Sequence, residues 1–89
     1  MIDETLDARH AKYGYFEDVC RTTYAIRNVI EAELEARGKV LAPDQMYAIE
    51  MIAVKLGRII NGDPNYDDNW RDISGYATLI VDRLNGRLR

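Results

Sequence analysis

Between residues 43 and 61 apolar side chains recur too densely for a helix that hides a single face. Met46, Ile49, Ile52, Ala53, Leu56, Ile59 and Ile60 fill more than one amphipathic stripe. Such a segment has to be covered on two sides, as the middle helix of a bundle or at the centre of a dimer. Its ends are marked by the chain itself. Ala42-Pro43-Asp44-Gln45 places Pro in a first helical turn and Asp near the positive end of the helix dipole. Gly62-Asp63-Pro64 closes the segment, with Gly as the cap and Pro unable to continue the hydrogen-bond ladder.

The flanking segments have one apolar stripe each. From 15 to 37 the series Phe16, Val19 or Cys20, Thr23, Ile26, Ile30 and Leu34 keeps helical spacing and stops at Gly38. From 67 to 84, Asp67 or Asp68 serves as cap and Trp70, Ile73, Ala77, Ile80 or Val81, and Leu84 point inward. A short helix from 2 to about 12 has a shallow stripe of Ile2, Leu6, and Ala8 or His10, and ends in a bend at Gly14. The tail from Asn85 to Arg89 is expected to fray. No strand-like alternation occurs. The expected fold is all-α: a compact bundle of three main helices (15–37, 43–61, 67–84) plus a short N-terminal one, forming one domain over 1–89.

A chain of 89 residues has a thin core. Cys20 is its one cysteine, so no internal disulfide can compensate, and the residue reads as a small core side chain. Association is the remaining supplement, and a homo-oligomer, with a dimer favoured, is expected in a reducing cytoplasmic setting. No run is long and apolar enough to span a membrane, and the segment Met1 to Thr5 lacks signal-peptide character. With 15 acids against 12 bases and a net charge of −3, general nucleic-acid binding is not expected. His10 is the one histidine, which argues against a triad or zinc site, and no P-loop or dinucleotide-binding glycine motif is present.

The chemistry-bearing residues gather near the last two helices. Asp68 and Asp72 are one turn apart, with Tyr76 one turn further, and two such carboxylates can share a Mg²⁺ ion. The plainer role for Asp67 and Asp68 is helix capping. Lys55 and Arg58, spaced i, i+3, suit phosphate oxygens, the Arg by its fork and the Lys as a point charge. Glu50 is about 140° around the helix from Lys55 and needs a neighbouring helix to join any cluster. Lys55 and Arg58 are equally suited to pair with Asp72 or Asp68 across the helix interface. Glu31, Glu33 and Glu35 crowd the C-terminal end of the second helix, where acids oppose the dipole, and read most simply as a solvated face.

Three segments together resemble a family: Arg9-x-x-Lys12-Tyr13-Gly14-x-Phe16, the run from Glu50 to Pro64, and Asp68-Asn69-Trp70-Arg71-Asp72-Ile73-Ser74-Gly75-Tyr76-Ala77. The combination resembles small phage- and prophage-encoded proteins of unassigned function, over most of the chain. It is more distantly similar to the MazG-like all-α nucleoside triphosphate pyrophosphohydrolases. The resemblance implies a dimer-forming bundle whose carboxylates bind Mg²⁺ and whose basic residues hold a nucleotide. Those enzymes carry E-x-x-E on one helix and E-x-x-D on a later one. Here Asn69-Trp70-Arg71-Asp72 stands at the second place, keeping Asp72, and Glu31, Glu33 and Glu35 replace the first pair.

The expectation is a phage-derived nucleotide-binding protein, with Lys12, Tyr13, Lys55, Arg58 and Tyr76 on the nucleotide and Asp68, Asp72 and Glu50 on Mg²⁺. Residual Mg²⁺-dependent pyrophosphohydrolase activity stays open, because the carboxylate motif is incomplete. The alternative from another class is a non-enzymatic interaction module that modulates a host protein. A third reading makes the acids, Lys55 and Arg58 an ion-pair lattice.

Overall fold

The computed structural model describes residues 2–87, and side chains from residue 5 onward. Its elements are α1 (Ile2–Tyr13), α2 (Phe16–Ala36), α3 (Pro43–Asn61) and α4 (Asp67–Leu84). The fold is all-α, as expected, and the helix limits agree with the sequence reading to within a residue. Among the described residues no helix is long and apolar enough to cross a membrane.

The double apolar character of α3 is explained by its position. It packs against α2 on one side and α4 on the other, while α1 rests across α2 and α3. Ala48, Ala53 and Ile59 of α3 and Val19 of α2 are buried. Small residues let α2 approach closely: a Cβ at Gly57 would lie 2.7 Å from Thr23 Oγ1 and 3.1 Å from the Val19 carbonyl oxygen. One turn on, Asn61 Nδ2 donates to Thr22 Oγ1 and to the Gly57 carbonyl, both at 2.8 Å, tying α2 to the end of α3.

The two turns of the chain also meet. Gly14, at φ 84°, makes the expected bend, and a Cβ there would fall 2.7 Å from Asn61. Gly62 is required for a different reason from the one expected. Its φ of −116° is open to any residue, but a Cβ would stand 2.4 Å from the Lys12 carbonyl oxygen. The Asp63 N–H donates to that same oxygen at 3.0 Å, locking the α1–α2 bend onto the α3–α4 turn.

Several local expectations are corrected. The N-cap of α4 is Tyr66 without a side-chain cap bond, and Asp67 and Asp68 lie in the first turn, where they complement the dipole instead. Trp70 is half exposed and Leu84 and Val81 are exposed, whereas Asn69 is only 1 % exposed. The stripe is rotated because the Trp70 indole folds back to donate to the Pro64 carbonyl at 2.9 Å, leaving Asn69, Ile73, Tyr76 and Ile80 toward α3. Phe16 is 82 % exposed at the first position of α2, and Cys20 is half-buried. In the shallow stripe of α1, Leu6 and Ala8 are exposed and His10 is half-buried, while the Ile2 side chain lies outside the described ones. Up to Arg87 the tail follows a capping turn: Gly86 takes φ 79°, and the Arg87 N–H donates to the Asp82 carbonyl at 2.8 Å. Leu88 and Arg89 lie outside the described residues. Glu31 and Glu33 are paired with Arg27 and Arg37, which offsets their unfavourable position in α2.

Candidate functional site

Among the described residues an open cleft of about 550 Å³ lies between α1, α2 and α3. Leu6, Val19, Cys20, Met51 and Val54 contribute apolar wall, and Arg9, Tyr13, Arg27, Glu50 and Arg58 contribute polar rim. That volume and mixture suit a small-molecule site, which usually spans roughly 300–1,000 Å³ with a few convergent polar groups.

Helical spacing and the α1–α2 bend bring the rim together. Arg9 and Tyr13 are one turn apart on α1, and the Arg9 Cζ lies 5.0 Å from the Tyr13 ring centroid. Arg58 of α3 lies 5.0 Å from the same centroid. Neither guanidinium has a carboxylate partner among the described residues. Behind Tyr13, Tyr66 makes an edge-on contact at 5.5 Å, and Lys12 Nζ sits 5.1 Å over the Tyr66 ring. The Tyr66 hydroxyl donates to Asp68 Oδ2 at 2.8 Å. The Tyr13 hydroxyl and the Asp68 carboxylate together hold the Tyr66 phenol above its ordinary pKa, so it stays a neutral donor. At the other end of the cleft, Arg27 links Glu50 at 3.0 Å and Glu31 at 3.1 Å.

The expected site residues therefore separate. Tyr13, Arg58 and Glu50 line the cleft, and Lys12 stands beside it through Tyr66. Lys55 and Asp72 are on the opposite flank of α3, paired at 3.0 Å. Tyr76 meets Tyr47 edge-on at 6.3 Å in a groove of about 350 Å³ between α3 and α4. The three proposed Mg²⁺ ligands have three different partners: Arg27 for Glu50, Tyr66 for Asp68 and Lys55 for Asp72. Among the described residues no three His, Cys, Asp or Glu side chains gather as a metal site. These carboxylates do not fit a resident metal cluster.

Magnitudes decide which flank is open to an anion. An exposed cation–π contact is worth about 0.5–1 kcal/mol, less than the roughly 1.5–3 kcal/mol of a charged hydrogen bond. Arg9 and Arg58 can thus turn from the ring to a phosphate at net gain. Lys55 is 8 % exposed, and its partner Asp72 would repel an approaching phosphate.

Arg9 and Arg27 were not among the expected site residues. The i, i+4 spacing of Arg9 and Tyr13 was a usable signal. Arg27 and Tyr66 had none, because their contacts arise where separate helices and turns meet.

No curated protein and no solved structure matches the chain. A family model does, over residues 3–83, which includes every residue of the cleft rim. The chain belongs to the family of domains of unknown function DUF6378.

Proposed function

We propose that the cleft between α1, α2 and α3 binds a nucleotide, with its phosphates on Arg9 and Arg58 and its base against the apolar wall and Tyr13. The observation that carries this reading is the pair of guanidinium groups without carboxylate partners, on one aromatic ring at the mouth of a 550 Å³ cleft. Both Cζ atoms are 5.0 Å from one centroid, so they are at most about 10 Å apart, a span that successive phosphates bridge. Lys12 adds positive charge behind them. On this reading the chain is a phage-type nucleotide binder on a MazG-like scaffold, and binding rather than hydrolysis is its function. Any Mg²⁺ arrives on the phosphates, since Glu50 is the one carboxylate lining the cleft among the described residues and it is tied to Arg27.

Isothermal titration with nucleoside mono- and triphosphates and with pyrophosphate, each with and without Mg²⁺, tests this. Triphosphates are expected to bind more tightly than monophosphates, and more tightly than pyrophosphate, which lacks the base. Absence of binding by every probe in both conditions rules the reading out.

A second reading has one specific observation behind it. Tyr15, Phe16 and Tyr24 are exposed along the start of α2, and Phe16 and Tyr24 line the cleft. A protein partner that inserts an acidic segment between Arg9 and Arg58 would use them, without any reaction. Under that reading Phe16→Ala removes partner capture and leaves nucleotide titrations unchanged.

A further inference from the structure

The cleft has a second polar end, away from the cations that suit phosphate. Glu50, Met51, Val54 and Arg58 of α3 fall within one arc of about 100°, so a single face of the helix runs along the cleft. Arg58 stands at the end of that face where Tyr13 sits, and Glu50 lies about two helical turns earlier, roughly 12 Å away along the axis. Met51 and Val54 make the wall between them apolar. That span is the reach of a nucleotide from its phosphates to the far edge of a purine base.

At the Glu50 end the charges are held in a fixed pattern. Arg27 Nε meets Glu31 at 3.1 Å, Arg27 Nη2 meets Glu50 Oε1 at 3.0 Å, and the guanidinium carbon lies 5.7 Å from the Tyr24 ring centroid. Three contacts on one guanidinium orient it before a ligand arrives, which lowers the ordering cost of binding. Among the described residues nothing partners Arg27 Nη1 or Glu50 Oε2. The two side chains are only 37 % and 36 % exposed, so bonds made there are partly shielded from water. An unused donor thus stands beside an unused acceptor oxygen on the cleft rim.

Donors and acceptors choose the base. An ionised Glu only accepts, through two oxygens, and an Arg only donates. On its pairing edge adenine or cytosine offers an amino donor beside a ring-nitrogen acceptor, and uracil a ring N–H beside a carbonyl. Each makes one bond to Glu50 and one to Arg27. Guanine offers its N1–H and its N2 amino group side by side to the two Glu50 oxygens, with O6 next to them for Arg27. The additional bond, to a charged acceptor, corresponds to roughly 10- to 100-fold in affinity. Given nucleotide binding in this cleft, on which the assignment rests, we infer that the Arg27–Glu50 pair reads the base and that the ligand is a guanine nucleotide.

The test is isothermal titration of the full chain with guanosine, inosine, adenosine and xanthosine triphosphates. Inosine lacks the N2 amino group, and xanthosine has a carbonyl in its place. Guanosine triphosphate is expected to bind roughly 10- to 100-fold more tightly than the inosine and adenosine compounds. Glu50→Gln, shown folded by circular dichroism, puts an amide donor where an acceptor stood. It is expected to lose the guanosine preference and to bind xanthosine triphosphate about tenfold more tightly than the wild type does, a gain that a purely structural Glu50 would not produce. Arg58→Ala is expected to weaken all four alike, because it acts on the phosphates. The wild-type panel stays decisive if Glu50→Gln does not fold. Guanosine and inosine triphosphates binding within about threefold of each other overturn the inference while leaving nucleotide binding in place, as does a guanosine preference that survives Glu50→Gln. Absence of binding by all four overturns it together with the nucleotide reading.

Discussion

The two flanks of α3 differ in how completely their cations are paired. Toward α4, cations are matched with acids: Lys55 meets Asp72 at 3.0 Å, and Arg83 grips Asp44 through two hydrogen bonds of 2.6 and 2.8 Å. Toward α1 and α2, Arg27 pairs with Glu50 at one end of the cleft, but Arg9 and Arg58 at the other meet only an aromatic ring. Satisfied pairs hold helices together, and unmatched cations at a concave mouth are available to a ligand. The flank whose cations are paired across the helices therefore reads as structural, and the one with two unmatched guanidinium groups as the site.

The largest effect that can break this contrast lies at the joint that builds the cleft. Gly62→Ala places a methyl against backbone atoms of Lys12 and Tyr13, which no rotamer change relieves. A loss of about 2–4 kcal/mol is expected, seen as a fall in thermal midpoint of roughly 10–20 °C. Gly75 is the control: a Cβ there meets nothing within 4 Å, so Gly75→Ala in α4 is expected to stabilise by about 0.5–1 kcal/mol.

Smaller effects sharpen the α4 flank. Asp72→Ala leaves the buried Lys55 without its acid and should cost about 1–2 kcal/mol in denaturant unfolding, discounted because Asp72 is half exposed. Lys55→Met removes the charge while keeping the volume, and is expected to be neutral or mildly stabilising. If Lys55→Met proves as costly as Asp72→Ala, the pair contributes more than mutual neutralisation.

The smallest effect is a pH dependence. The Arg83 guanidinium, and secondarily the Gln45 N–H, hold the Asp44 carboxyl below its ordinary value of 3.8. The unfolded chain thus takes up a proton at higher pH than the folded one. The contribution is fully present above about pH 4 and is lost as pH falls through the depressed folded value. Asp44→Asn should flatten that part of the acid-unfolding curve.

Much of the fold was legible because it rests on local signals. Pro43, Gly38 and the helical periodicities define where helices start and stop, and the excess apolar residues of α3 announce its central place. Partnership was less legible. Asp72 and Lys55 were correctly suspected of pairing, but Arg58, one turn from Lys55, points to the other flank because the α1–α2 bend carries Tyr13 to it. The rotation of α4 was hidden as well: its apolar stripe is real, but Trp70 answers to the Pro64 carbonyl rather than to α3. Contacts between turns distant in sequence, such as Gly62 against Lys12, leave at most a glycine as their trace.

One titration tests the division between the flanks most directly. A nucleoside triphosphate is titrated into the wild-type protein, Arg58→Ala and Lys55→Met, each first shown to be folded. Arg58→Ala is expected to weaken binding by roughly 10- to 100-fold, and Lys55→Met to leave it within about twofold. Loss of binding in Lys55→Met with retention in Arg58→Ala would place the ligand on the α4 flank and contradict the assignment.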